Sequence, residues 1–247
     1  LFAKIISIKD EISNLNFIDG IIEAINRQNT MDERQLKSNH PLQRRLQLKV
    51  ESLGYYYERK EKQYKEESKI SRKIAELIRI DNRDLVRANL ATDKESYLPI
   101  KDTENILFSL RFDDVFKEEK HPLEYIIPYL IWKKIVKIGN NYQFKNRHIF
   151  HKNCSYHIIK LFYTYSPELK NKLNLRKIFD KLEDSNFELD DRLLKDIFNL
   201  AYKKFEKSKW YGQEYGQRDF LSNTKTFELI NNSINHTLRN QIAKIFD

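Results

Sequence analysis

Cysteine, methionine, glycine and proline are all scarce in this chain of 247 residues, which has one cysteine, one methionine, five glycines and five prolines. The single cysteine, Cys154, excludes an internal disulfide framework, and with no signal-like apolar segment it points to a reducing, cytoplasmic setting. Five glycines argue against a backbone-lined nucleotide pocket, and neither H-E-x-x-H nor G-x-S-x-G occurs. The longest apolar run, Tyr125 to Trp132, is interrupted by Pro128 and falls far short of the ~20 residues of a bilayer span. It reads as a buried helix, and no membrane partner is expected. The only methionine is Met31 and the chain begins at Leu1, so the sequence reads as a C-terminal fragment of a longer protein.

What is abundant is lysine, isoleucine, leucine, glutamate and asparagine. Lys and Arg number 45 against 36 Asp and Glu, a net charge of +9, with the acids interspersed along the chain. A basic surface favours polyanions through phosphate contacts and counterion release. The other reading is a lysine-rich composition with no nucleic-acid role. With so few helix breakers, the expected fold is mainly α, a multi-helix domain with a minor β component near the N-terminus.

In chain order, LFAKIISI (residues 1–8) reads as a short strand, and Ile18, Ile21, Ile22 and Ile25 form the apolar stripe of a helix. Asp32 to Gln35 start a short helical turn. Pro41 suits the first position of the next helix, with Asn39 as an upstream cap, Leu42, Leu46, Val50 and Leu53 as its apolar face, and Gly54 as its stop. Its opposite face carries Arg44, Arg45, Gln47 and Lys49, either a phosphate-contacting or a solvated surface. Tyr55, Tyr56 and Tyr57 predict an extended segment, on which bases could stack beside Arg59 and Lys60, although at least one tyrosine belongs to the core.

Glu61 to Lys69 reads as a charged, solvated segment. Ile70, Ile74, Leu77 and Ile78 predict one further helix and residues 81–93 another. Asp113 and Asp114 read as acids at a helix start rather than cation ligands. Later helices are expected from Pro122 to about Ile138, Ile149 to Tyr165, Leu175 to Asp184, Asp190 to Lys207 and Thr224 to Phe246. The domain reading is 1–60 as the end of an upstream domain and 61–247 as a helical region, with a sub-boundary near 139–146.

Chemistry-bearing clusters are few. His148, His151, Cys154 and His157 have the residue types of a zinc site. On a helix, though, three steps of three residues turn His157 to the side opposite His148, so they cannot surround one ion. Cys154 has only His151 or His157, a helical turn away, as a base. The segment Trp210 to Lys225, WYGQEYGQRDFLSNTK, reads as a glycine and aromatic loop, a contact surface or a seal over a hydrophobic edge.

The most distinctive stretch is Phe17 to Lys60. Its segments INRQNTMDERQLKSNHPLQRRL and GYYYERK resemble the AIPR family, the abortive infection phage resistance proteins of bacteria. The resemblance rests on Asn26, Arg27, Gln28 and Asn29, then Gln35 to Asn39, then Tyr56 to Lys60. Ile25 and Gln35 depart from the family pattern, which has Thr and Asp there. It is specific over residues 1–60 and implies a phage-defence role and an upstream portion.

From these readings the expected function is recognition of nucleic acid or of a phage or host protein. Binding is assigned to Asn26, Arg27, Gln28, Asn29, Arg34, Ser38, Asn39, Arg44, Arg45, Tyr57, Arg59 and Lys60. The amide side chains serve equally well to fix the connector through its backbone. No catalytic residue, cofactor or metal site is assigned, and no oligomeric state. The rival readings are part of a metal-dependent nuclease completed by an N-terminal region, and a helical scaffold for protein assembly.

Overall fold

The computed structural model describes residues 32–93, 98–141 and 148–247. The strand expected over residues 1–8, the Ile18 to Ile25 helix, and Asn26, Arg27, Gln28 and Asn29 lie outside the described residues. The chain is mainly α, as expected, and falls into two compact units parted between Arg79 and Ile80.

In the first unit, Asp32 caps helix α1 (Glu33–Lys37) by accepting from the Gln35 N–H at 2.8 Å, and the Ser38 hydroxyl closes its other end on the Gln35 carbonyl at 2.6 Å. Helix α2 (Pro41–Glu51) starts on Pro41, but His40 rather than Asn39 caps it, its Nδ1 accepting from the Leu42 N–H at 3.3 Å. Leu46 and Val50 of α2 are buried while Leu42 and Leu53 are half-buried, and Gly54 at φ +87° ends the segment as a left-handed stop. Strand β1 (Tyr55–Glu58) follows, then the short helices α3 (Gln63–Glu67) and α4 (Arg72–Ala75) and strand β2 (Ile78–Asp81).

One helix was expected where α4 and β2 stand. Ile70 is 89% exposed, and Ile78 donates its N–H to the Gly54 carbonyl at 3.1 Å to open a small parallel pairing with β1. The β-branched pair Ile78 and Ile80 suits that ladder, and a cross-strand partner overrides helical spacing.

The second unit is helical. Asp81 caps α5 (Asn82–Leu90) through the Arg83 N–H at 2.9 Å, and a single-turn π-helix (Ile106–Leu110) leads into α6 (Phe112–Val115), where Arg111 holds Asp114 at 3.2 Å. Helix α7 (Pro122–Asn140) begins with a capping box of His121 and Glu124, and Tyr125 through Trp132 are buried, Pro128 included. It ends at Asn140, two residues past the expected end, and position 139 is glycine where a Cβ would meet His151 and Phe198 at 3.2 Å.

Helix α8 (His148–Tyr165) packs against α5 and α7 and receives the later helices α9 (Pro167–Lys170), α11 (Asp191–Glu206), α12 (Gly216–Ser222) and α14 (His236–Ala243). Helix α10 (Leu175–Glu183) lies on α7, and α13 (Thr224–Asn231) on α11 and α12. The helix expected from Thr224 to Phe246 is two, because Asn235 caps α14 through the Leu238 N–H at 2.9 Å. Within the segment expected as a loop, α12 forms and buries Phe220 and Leu221.

Candidate functional site

The connector between α1 and β1 is held by its own polar side chains. Gln43 donates from Nε2 to the Lys37 carbonyl at 2.9 Å and accepts from the Tyr57 hydroxyl at 3.1 Å, tying the end of α1 to β1. Arg59 donates from Nε to Gln47 Oε1 at 2.5 Å and from a terminal nitrogen to the Ser38 carbonyl. Gln63 Oε1 receives the backbone N–H groups of Arg59 and Lys60, each at 3.2 Å.

Each amide thus satisfies backbone or side-chain partners, and the Gln43–Tyr57 bond does so where burial would otherwise leave both groups unpaired.

Burial divides the residues that the sequence reading assigned to binding. Arg34, Ser38 and Tyr57 are buried, with Tyr57 at 0% exposure, and Asn39 and Arg59 are half-buried. All three of Tyr55, Tyr56 and Tyr57 lie in the core, where at least one was expected, and Glu58 is buried with them. The reason is pairing from both sides. Tyr56 donates to Glu67 at 2.6 Å, and Glu58 accepts from the Tyr64 N–H at 3.1 Å and from Arg79 Nε at 2.7 Å. Burial, then the bond to Glu67, pushes the Tyr56 phenol well above its ordinary range.

Arg44, Arg45 and Lys60 are exposed. On α2 the exposed positions are Arg44, Arg45, Leu48 and Lys49, with Leu48 at 69%, and the first turn carries no acidic residue. Helical spacing stacks Arg44 over Leu48 and Arg45 over Lys49 on one side. Burial lowers the Arg59 pKa, and the Arg44 charge lowers it further, so two guanidiniums are held within electrostatic reach of one another.

The other clusters hold no such surface. His151, Cys154 and His157 are buried in α8, and burial pushes the Cys154 thiol up, away from thiolate chemistry. The proton of His157 sits on Nε2, which meets the Leu221 carbonyl at 2.8 Å, and burial takes its pKa down to about 4. Among the described residues no group of three or more His, Cys, Asp or Glu side chains could hold a metal ion. No helix among them is long and apolar enough to cross a membrane.

The sequence reading missed one feature, a lysine-lined cleft in the second unit. Its signal was Lys160, a cation inside the apolar run HIIKLF, where a solvated helix face would not place it.

No curated protein and no solved structure matches the chain. A family profile described as AIPR protein matches residues 2–209, well beyond the residues 1–60 on which the resemblance rested and across most of the chain. The polar connector, β1 and most of the helical second unit all lie inside that match, and the chain belongs to the AIPR family.

Proposed function

We propose that this phage-defence protein recognises nucleic acid through the exposed side of α2, with Arg44, Arg45 and Lys49 contacting phosphates and Arg59 and Lys60 adding charge from the end of β1. Membership of the AIPR family carries the abortive-infection role. The observation that supports the ligand class is the run of exposed cations on α2, with no acid in its first turn, beside a second guanidinium. An exposed face of this charge suits a partner that brings regularly spaced negative charge.

Arg59 acts as a positioning residue, since Gln47 and the Ser38 carbonyl fix its guanidinium. Ser38 contributes its carbonyl to that fixture, while Asn26, Arg27, Gln28 and Asn29 remain contact candidates in the same reading. With about four phosphates neutralised, log K should fall against log salt with a slope of roughly −3 to −4 on duplex DNA. Fluorescence anisotropy on labelled DNA and RNA between low and physiological salt tests this. Binding that ignores salt, or no binding at all, overturns it.

Leu48, 69% exposed among these cations, favours one second reading, an acidic face of a phage or host protein with an apolar contact at its centre. Loss of protein capture on Leu48→Ala, with nucleic-acid binding absent in the unaltered protein, would select it.

A further inference from the structure

The second unit contains a cleft of about 780 Å³ that Lys117, Lys120, Lys160, Lys170 and Lys172 line. Two of these ammonium groups are set into the protein. Lys160, 4% exposed, donates to the Asp93 carbonyl at 2.6 Å and lies over the Phe227 ring at 5.3 Å. Lys120 donates to Asn89 Oδ1 at 2.7 Å and lies over the Tyr125 ring at 4.2 Å. For Lys120 both of these partners are neutral, and a cation withdrawn from water against neutral groups is unfavourable. Burial, with Lys172 and Lys117 nearby, takes the Lys120 pKa down to about 8 although Glu124 opposes the shift.

Four carboxylates, Asp93, Asp114, Glu119 and Glu124, also face the cleft. Lys172 pairs with Glu124, and Arg111 holds Asp114 at 3.2 Å. Asp93 and Glu119 have exposed side chains. The rest of the lining includes Leu90, Val115, Leu169 and Phe227, an apolar wall beside the charged one. The part-buried Lys120, an apolar wall and a volume within the ~300–1,000 Å³ of small-molecule sites give this cleft the features of a ligand pocket with a solvated, lysine-bearing rim.

We propose that this cleft binds a small phosphorylated molecule, its phosphate completing the shell of Lys120 with Lys117 and Lys170, and its organic part lying on the Leu90, Leu169 and Phe227 wall. A phosphate supplies the doubly charged acceptor that several point-charge ammoniums share better than a single carboxylate does. The cleft belongs to the second unit and α2 to the first, and this proposal does not depend on the α2 reading.

The test combines calorimetry with amine acylation mapped by mass spectrometry on the full chain, using inorganic pyrophosphate and adenosine monophosphate as probes. At about 1 mM, both should protect Lys120 from acylation, the monophosphate ester more strongly if the apolar wall takes part. Lys120→Gln should weaken binding about tenfold, the equivalent of one charge-assisted hydrogen bond. Lys170→Gln, at an exposed position, should weaken it measurably without altering the fold, and Lys195→Gln, exposed on α11 and outside the cleft lining, should leave it unchanged. Absence of protection and heat with both probes overturns the proposal, as does unaltered affinity in both lysine variants.

Discussion

Arg59, just after β1, donates from Nε to Oε1 of Gln47 on α2 at 2.5 Å, and its guanidinium also reaches the Ser38 carbonyl behind α1. One side chain therefore joins three consecutive pieces of the connector. The same side chain is a cation held near Arg44, so structural and electrostatic roles meet in one residue.

Those roles separate by substitution. Arg59→Lys keeps the charge but loses the planar fork, and the first unit should lose about 1–2 kcal/mol in urea denaturation. Arg44→Gln removes the like charge that opposes Arg59, so stability should hold or rise slightly while nucleic-acid affinity falls. Equal stability losses in the two variants would contradict this division.

Tyr57 offers a sharper contrast. Its ring is fully buried and its hydroxyl is given to Gln43 at 3.1 Å, so Tyr57→Phe should cost about 1 kcal/mol of stability and leave nucleic-acid binding unchanged. Anisotropy and denaturation on the same sample check both halves. A selective loss of binding would restore a base-stacking role.

His157 makes stability depend on pH. Its folded pKa, about 4, lies below the ordinary 6.5, so the unfolded chain takes up this proton first. The stabilisation from neutral His157 is complete above pH ~6.5, is lost as pH falls towards ~4, and changes little below that. His157→Gln can still donate to the Leu221 carbonyl and should flatten the thermal midpoint over that window. An unchanged slope in the variant would show that other groups govern it.

Gly216 sits where a Cβ would lie 1.9 Å from the Trp210 carbonyl oxygen, a backbone atom that side-chain repacking cannot clear. Gly216→Ala should destabilise α12 by about 1–3 kcal/mol, seen as a lower thermal midpoint and faster proteolysis near Trp210. Wild-type behaviour would mean that the segment shifts freely.

Local punctuation made much of this fold legible in the sequence. Pro41 and Gly54 bracket α2, Pro122 starts α7, and the expected helices near α8, α10 and α11 match within a residue or two at each described end. Features that depend on a distant partner were not legible. The Ile70 to Ile78 spacing fits a helix equally well, and only pairing with Gly54 turns its end into β2. Tyr55 to Tyr57 looked half-exposed because alternation assumes one solvated face, whereas Glu67, Gln43 and the α2 side chains cover both. The lysine cleft gathers Lys120, Lys160 and Lys172 from separate segments, so only the apolar setting of Lys160 could have announced it.

The most direct measurement is the salt dependence of nucleic-acid binding by the unaltered chain and by the Arg44→Gln, Arg45→Gln double variant, followed by anisotropy. The expected result is a steep fall of affinity with salt in the unaltered chain and a slope shallower by roughly 2 in the variant, one unit for each phosphate contact removed. Equal slopes in the two proteins, or the absence of salt-sensitive binding to either DNA or RNA, would contradict a phosphate-contacting α2.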